Sequence, residues 1–78
     1  KSLPQYYKET NEGRKRFELR KDDRDYKVGD VLRLNEYKDG KYTEESCFRI
    51  ITYILRDCPE YGLQDGFVLL SIKCLHEI

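Results

Sequence analysis

The chain has 78 residues, and its 15 basic side chains (Lys and Arg) balance its 15 acidic ones (Asp and Glu), for a formal net charge of zero. This length predicts one small domain spanning residues 1–78, near the size at which folding buries only about 60% of the unfolded surface. Zero net charge argues against strong, indiscriminate binding to nucleic acid, which depends on neutralising phosphates. A local basic cluster remains compatible with this composition.

The cysteines are odd in number and lack C-x-x-C spacing, and only one histidine accompanies them: Cys47, Cys58 and Cys74. This pattern predicts no disulfide framework and no metal site, and it favours reduced thiols in a cytoplasmic protein. Nothing in the sequence indicates a cofactor. No apolar run reaches membrane-spanning length and no signal peptide is visible, so we expect no membrane partner.

The first element predicted is a short helix. Pro4 suits a first helical turn, and the aromatic positions that follow recur at roughly helical spacing. We therefore place the helix from Leu3-Pro4 to Glu12, with Gly13 as its C-terminal stop.

The next element is a strand at Arg16–Arg20, where polar and apolar side chains alternate with the period of a half-buried strand. This alternation predicts that Phe17 and Leu19 face the core, with Glu18 and the two arginines together on the opposite face. Lys15 falls on the Phe17 face by strict parity. It reaches the polar face only if the chain bends at the preceding glycine, which glycine permits.

Three further strands are predicted at Val31–Tyr37, at roughly Ser46–Arg56 and at Phe67–Leu75. Asp39-Gly40 predicts a tight hairpin between the first two. The second is apolar on both faces and is therefore expected at the centre of the sheet. Together these elements predict an α+β fold: a small β-barrel of about four to five mostly antiparallel strands, with one short N-terminal helix.

A family resemblance rests on the pattern G-x-K-x-x-E-x-R, formed here by Gly13, Lys15, Glu18 and Arg20. The pattern resembles the signature of ASCH domains, which belong to the PUA-like superfamily of small β-barrels. The similarity covers nearly the whole chain and looks like a bacterial and phage branch of ASCH-like proteins. Members usually carry a short strand ending in Leu-Lys before the helix. Lys1 matches that lysine, so the resemblance implies that one barrel strand is absent or shortened.

The resemblance implies a barrel with a cleft that binds RNA or a modified nucleotide. Lys15 and Arg20 would meet phosphate or a base edge, and Glu18 would accept from a base amino group or orient the two cations. Lys21 and Arg24 complete the set of candidate nucleic-acid-binding residues. The alternative that these side chains form only an ion-pair network stabilising the barrel stays open. For Arg24, a local salt bridge with the acids of its turn is the alternative.

A second functional hypothesis is a small hydrolase acting on a modified nucleoside. Some ASCH relatives are amidohydrolases acting on acetylated cytidine through a Lys–Thr–Glu set. Their lysine matches Lys15, but Glu18 stands in place of their threonine, and the short loop Asp57–Asp65 replaces the insertion that carries their distal glutamate. The hydroxyl nucleophile is therefore missing, and a Lys15–Glu18 acid–base pair is the enzymatic candidate that remains. A binding module is the preferred hypothesis.

Six tyrosines are candidates for stacking on bases, with packing inside the fold as the alternative for each. They are Tyr6, Tyr7, Tyr26, Tyr37, Tyr42 and Tyr53.

Overall fold

The computed structural model describes residues 1–77 and contains one helix followed by four strands. The bounds are α1 Pro4–Asn11, β1 Phe17–Lys21, β2 Val31–Lys38, β3 Lys41–Leu55 and β4 Phe67–Cys74. Short 3-10 turns cover Pro59–Tyr61 and Leu75–Glu77. Within residues 1–77, no helix is long and apolar enough to cross a membrane. The predicted α+β composition with one short helix is confirmed.

The four strands form one antiparallel sheet in the order β1-β4-β3-β2. The sheet curls into a half-barrel, and the buried core lies on its concave side. β3 is a central strand, as its two apolar faces predict. The described strands do not close into a full barrel, because β1 and β2 are the two edges and do not pair with each other.

The N-terminal segment lengthens the sheet at its β2 edge. Ser2 forms a single parallel bridge with Glu36 of β2. The Ser2 N–H donates to the Asn35 carbonyl oxygen, and the Tyr37 N–H donates to the Ser2 carbonyl oxygen, each at 2.8 Å.

The predicted hairpin at Asp39-Gly40 is confirmed. Lys38 pairs with Lys41, and the two turn residues have φ angles of 54° and 80°. Two positive φ angles are typical of the type I′ turn that matches the twist of a two-residue hairpin. Because this turn pairs β2 with the chain directly after it, β3 begins at Lys41, before the apolar run at which the sequence pattern places its start.

The helix is held by a buried arginine. Arg49 of β3 is 8% exposed, and its Nη2 donates to the carbonyl oxygen of Thr10 at 2.8 Å. Thr10 lies in the last turn of α1, where a cation is favoured, and its carbonyl oxygen also accepts from the Gly13 N–H at 3.0 Å. Arg49 therefore joins the end of the helix to the central part of the sheet.

The core is small and extends from α1, which packs against β2, across β3 to β4. Its members are Tyr7, Tyr26, Leu34, Cys47, Ile51, Val68, Leu70 and Ile72. None of these core residues belongs to β1, at the opposite edge of the sheet, so the inner side of β1 carries other side chains.

We expect Arg49→Met to lower the free energy of unfolding by about 1.5–3 kcal/mol, because the Thr10 carbonyl loses a charged donor inside the fold. Chemical denaturation followed by circular dichroism measures the change. Arg33→Met is the matched control, since Arg33 lies exposed on β2, and its effect should stay within about 0.5 kcal/mol. Equal effects of the two substitutions would contradict a capping role for Arg49.

Candidate functional site

The inner side of β1 carries charged residues. In the pairing of β1 with β4, Glu18 lies opposite Leu70 and Arg20 lies opposite Val68. Residues directly opposite one another share a face of the sheet, and Leu70 and Val68 are fully buried. Glu18 and Arg20 therefore point to the concave side, where Glu18 is only 8% exposed.

Strand alternation predicts the opposite orientation for β1, and that prediction is wrong. Phe17 and Leu19, expected in the core, are 49% and 59% exposed. The physical reason is that α1 packs against β2 and does not cover the inner side of β1, which charged groups occupy instead. Those charges can lie inward because the Glu18 carboxylate accepts hydrogen bonds from both Lys15 and Arg20.

Lys15 reaches Glu18 through a bend between α1 and β1. Gly13 has a φ of 83°, a conformation that favours glycine. The Lys15 backbone N–H donates to the Glu9 carbonyl oxygen at 3.0 Å, which holds the chain against the end of the helix. The Lys15 ammonium then donates to the Phe17 carbonyl oxygen at 2.6 Å and to Oε2 of Glu18. The bend that Lys15 needs to join the charged face is confirmed.

Glu18 lies between two cations. Nη2 of Arg20 donates to Oε1 of Glu18 at 3.2 Å, while Lys15 holds Oε2. The side chains of Lys15, Glu18 and Arg20 are 15%, 10% and 20% exposed, so solvent screens this network less than it screens a surface ion pair. Lys carries three N–H donors and Arg five. Both cations therefore keep donors for an external group after pairing with Glu18.

Two clefts open side by side along β1. The apolar cleft, about 420 Å³, is lined by Lys1, Ser2, Leu3, Tyr6, Lys15, Phe17, Glu18 and Leu19. The cationic cleft, about 630 Å³, is lined by Lys1, Glu18, Leu19, Arg20, Lys21, Asp23, Arg24 and Tyr26. Both volumes lie within the range of about 300–1,000 Å³ that is typical of small-molecule sites.

Lys21 and Arg24 differ from the paired residues of the network. Both are exposed and line the cationic cleft, and neither forms an ion pair with any side chain of residues 1–76. Asp22, an acid of the same turn, pairs instead with Arg56 at 3.0 Å. The local salt bridge considered as an alternative for Arg24 is therefore not formed within this part of the chain.

The tyrosines fall into distinct environments. Tyr7 and Tyr26 are each 7% exposed and belong to the core. Tyr37 and Tyr42 pack edge to face across the hairpin, with their ring centroids 5.0 Å apart. Tyr6 is 51% exposed and lines the apolar cleft. Tyr6 is thus a candidate for stacking that combines a solvent-accessible ring with a cleft.

The cysteines are placed for packing rather than chemistry. Cys47 and Cys58 are each 8% exposed, and Cys74 is half-buried. Burial raises the pKa of the Cys47 thiol, which keeps it protonated and unreactive. Among the side chains of residues 1–76, no group of three or more His, Cys, Asp or Glu is arranged to hold a metal ion.

The hydrolytic hypothesis requires a hydroxyl group activated by Lys15. In the part of the chain that the structure describes, the Lys15 ammonium donates to the Phe17 carbonyl and the Glu18 carboxylate. Neither group is a hydroxyl nucleophile, so the geometry adds no support and the hypothesis stays a prediction. Incubation with acetylated cytidine tests it, and we expect no deacetylation.

Residues 1–72 match the protein family described as a domain of unknown function, DUF3850. The chain belongs to this family. The match includes α1, β1, β2, β3 and most of β4, so both clefts along β1 lie within the DUF3850 domain. No curated protein matches the chain significantly.

Glu18→Gln removes the negative charge between Lys15 and Arg20 while preserving the shape of the side chain. We expect it to lower the free energy of unfolding by about 1–3 kcal/mol, because two largely buried cations lose their counter-charge. Chemical denaturation at neutral pH measures the loss. Glu44→Gln, at an exposed position of β3, is the control and should change stability by less than about 0.5 kcal/mol. If Glu18→Gln is as mild as the control, the network does not stabilise the fold.

Burial also predicts the order in which the thiols react. We expect a thiol reagent at mildly alkaline pH to modify half-buried Cys74 first, and to reach Cys47 and Cys58 only after denaturant is added. Mass spectrometry of the labelled peptides distinguishes the three sites. Rapid labelling of Cys47 in the native protein would contradict its placement in the core.

Proposed function

We propose that this DUF3850 domain is a nucleic-acid-binding module that takes single-stranded RNA in the cationic cleft. The observation that carries the proposal is the convergence of Arg20, Lys21 and Arg24 on that cleft. Lys21 and Arg24 have no ion-pair partner among the side chains of residues 1–76. Exposed cations that form no ion pair at a concave surface suit a phosphate ligand.

Each side chain of the network has a chemical task in this proposal. Arg20 presents a planar fork of donors to a phosphate, and Lys15 supplies a compact positive charge. Glu18 holds both cations in fixed positions, at 3.2 Å from Nη2 of Arg20 and in direct contact with Lys15. Because Glu18 already holds both cations before a ligand binds, binding costs less side-chain entropy.

The charge balance limits the strength of binding and favours a single strand over duplex DNA. The domain has no net charge, and Glu18 and Asp23 lie in the same cleft as the cations. Three phosphate contacts on a single strand give a slope of about −2 in a plot of log binding constant against log salt. We therefore expect affinities that are roughly micromolar or weaker at physiological salt.

We also propose that the domain is related to the PUA-like barrels through the ASCH resemblance. Two observations support this relationship: the residues of the G-x-K-x-x-E-x-R pattern come together at one site, and Ser2 pairs with β2 before the helix. A crystal structure with a different strand order, or without the pairing of Ser2, would contradict it.

Substituting the exposed cations tests the proposed function. We expect Lys21→Gln and Arg24→Gln each to weaken binding of a single-stranded oligoribonucleotide about fivefold, the effect of losing about 1 kcal/mol. Each should reduce the salt slope by about 0.7. Fluorescence anisotropy over a salt series measures both quantities.

Arg33→Gln is the matched control, because Arg33 is an exposed cation on β2 that lines neither cleft. It should leave affinity and salt slope unchanged. Melting temperatures of all three variants should match the parent protein, since the substituted side chains are exposed. If the parent binds no oligonucleotide at low salt, or if the control weakens binding equally, the proposed function is wrong.

A further inference from the structure

The apolar cleft adjoins the cationic cleft. The two clefts share Lys1, Glu18 and Leu19 as a common wall. Phe17 lines the apolar cleft and Arg20 lines the cationic one, and their main-chain positions on β1 are about 10 Å apart at about 3.3 Å per strand residue. A nucleoside monophosphate, measured from base to phosphate, is of comparable length. One such unit can therefore reach both clefts at once.

The surface of the apolar cleft suits a flat, apolar group. Leu3, Tyr6 and Phe17 are 45%, 51% and 49% exposed, so each offers about half its surface to a ligand. The Lys15 ammonium lies 4.8 Å from the centroid of the Phe17 ring and so occupies one face of it. The Tyr6 ring is thus the better stacking platform, and Phe17 and Leu3 form apolar walls.

The main chain of β1 supplies hydrogen-bonding groups between the clefts. The Ile72 N–H donates to the Arg16 carbonyl oxygen at 3.1 Å, and the Asp22 N–H donates to the Gly66 carbonyl oxygen at 2.8 Å. Main-chain groups in an antiparallel strand alternate between its two sides, so the even-numbered residues of β1 face β4. Leu19 therefore directs its N–H and C=O to the side away from β4, at the wall shared by the two clefts.

We infer that the apolar cleft is a nucleobase subsite, so that one nucleotide places its base against Tyr6 and its phosphate among Arg20, Lys21 and Arg24. The inference rests on the proposed function and adds to it that the site recognises a single nucleotide. Stacking on Tyr6 contributes affinity for any base, because every base has an aromatic face. The Leu19 main-chain groups and the Glu18 carboxylate face the edge of the base, where hydrogen bonds distinguish one base from another.

The test compares three ligands on the whole domain: a short single-stranded oligoribonucleotide, an abasic oligomer with the same number of phosphates, and free nucleoside monophosphates. We expect the oligoribonucleotide to bind at least about fivefold more tightly than the abasic oligomer. Tyr6→Ala should remove this advantage while leaving binding of the abasic oligomer unchanged. Lys21→Gln should weaken both oligomers by the same factor.

Tyr53→Ala is the matched control, because Tyr53 is 61% exposed on β3 and lines neither cleft. It should preserve the advantage of the base-bearing oligomer. Nucleoside monophosphates that bind as well as the oligomer, with the same dependence on Tyr6, would support the subsite and identify a free nucleotide as its ligand.

Two results overturn the inference, and they differ in what they imply for the proposed function. If the abasic and base-bearing oligomers bind equally, the cationic cleft binds nucleic acid but the apolar cleft is no nucleobase subsite. If none of the three ligands binds at low salt, both the proposed function and the subsite are wrong.

Discussion

The helix covers only part of the sheet, and this limited coverage determines where charge can lie. With eight residues, α1 is about 12 Å long, and it packs against β2 at one edge. The inner side of β1, at the other edge, faces the N-terminal segment and α1 across the apolar cleft rather than packing against them. Glu18 can be buried there because Lys15 and Arg20 both donate to it, since a buried charge without partners is strongly unfavourable. Both clefts open beside this one carboxylate.

Features with local causes were predictable from the sequence. Pro4 and Gly13 bracket the helix, Asp39-Gly40 adopts the hairpin turn, and the apolar faces of β3 correspond to a central strand. The strand order was not predictable, because it depends on pairings between distant segments. The early start of β3 was also not predictable from the sequence, because the first residues of β3 are polar. They form a strand because they pair with β2, not because they are hydrophobic.

The sequence predicts which residues group at the candidate site, but not which face of the sheet they lie on. The spacing in the pattern correctly groups Lys15, Glu18 and Arg20, whereas their binding role stays a prediction. The alternation of polar and apolar side chains in β1 distinguishes its two faces but does not show which face is buried. Burial depends on where α1 packs. Alternation alone therefore places Phe17 in the core, although Phe17 lines a cleft. Tyr6 was one of six equivalent tyrosines in the sequence, and only the fold distinguishes it.

The attachment of β1 links the site to the folding of the chain. Glu18 pairs with Leu70, far along the sequence, whereas β2 and β3 are joined by a tight turn. Closing a long loop costs entropy before its contacts form, so we expect the hairpin to form first and β1 to join the sheet late. Because β1 has one neighbouring strand and no tight turn joins the two, β1 should also open first in the native state, and faster amide exchange in β1 than in β3 would be its signature. A ligand bound along β1 would then suppress this opening, because it binds only the closed form.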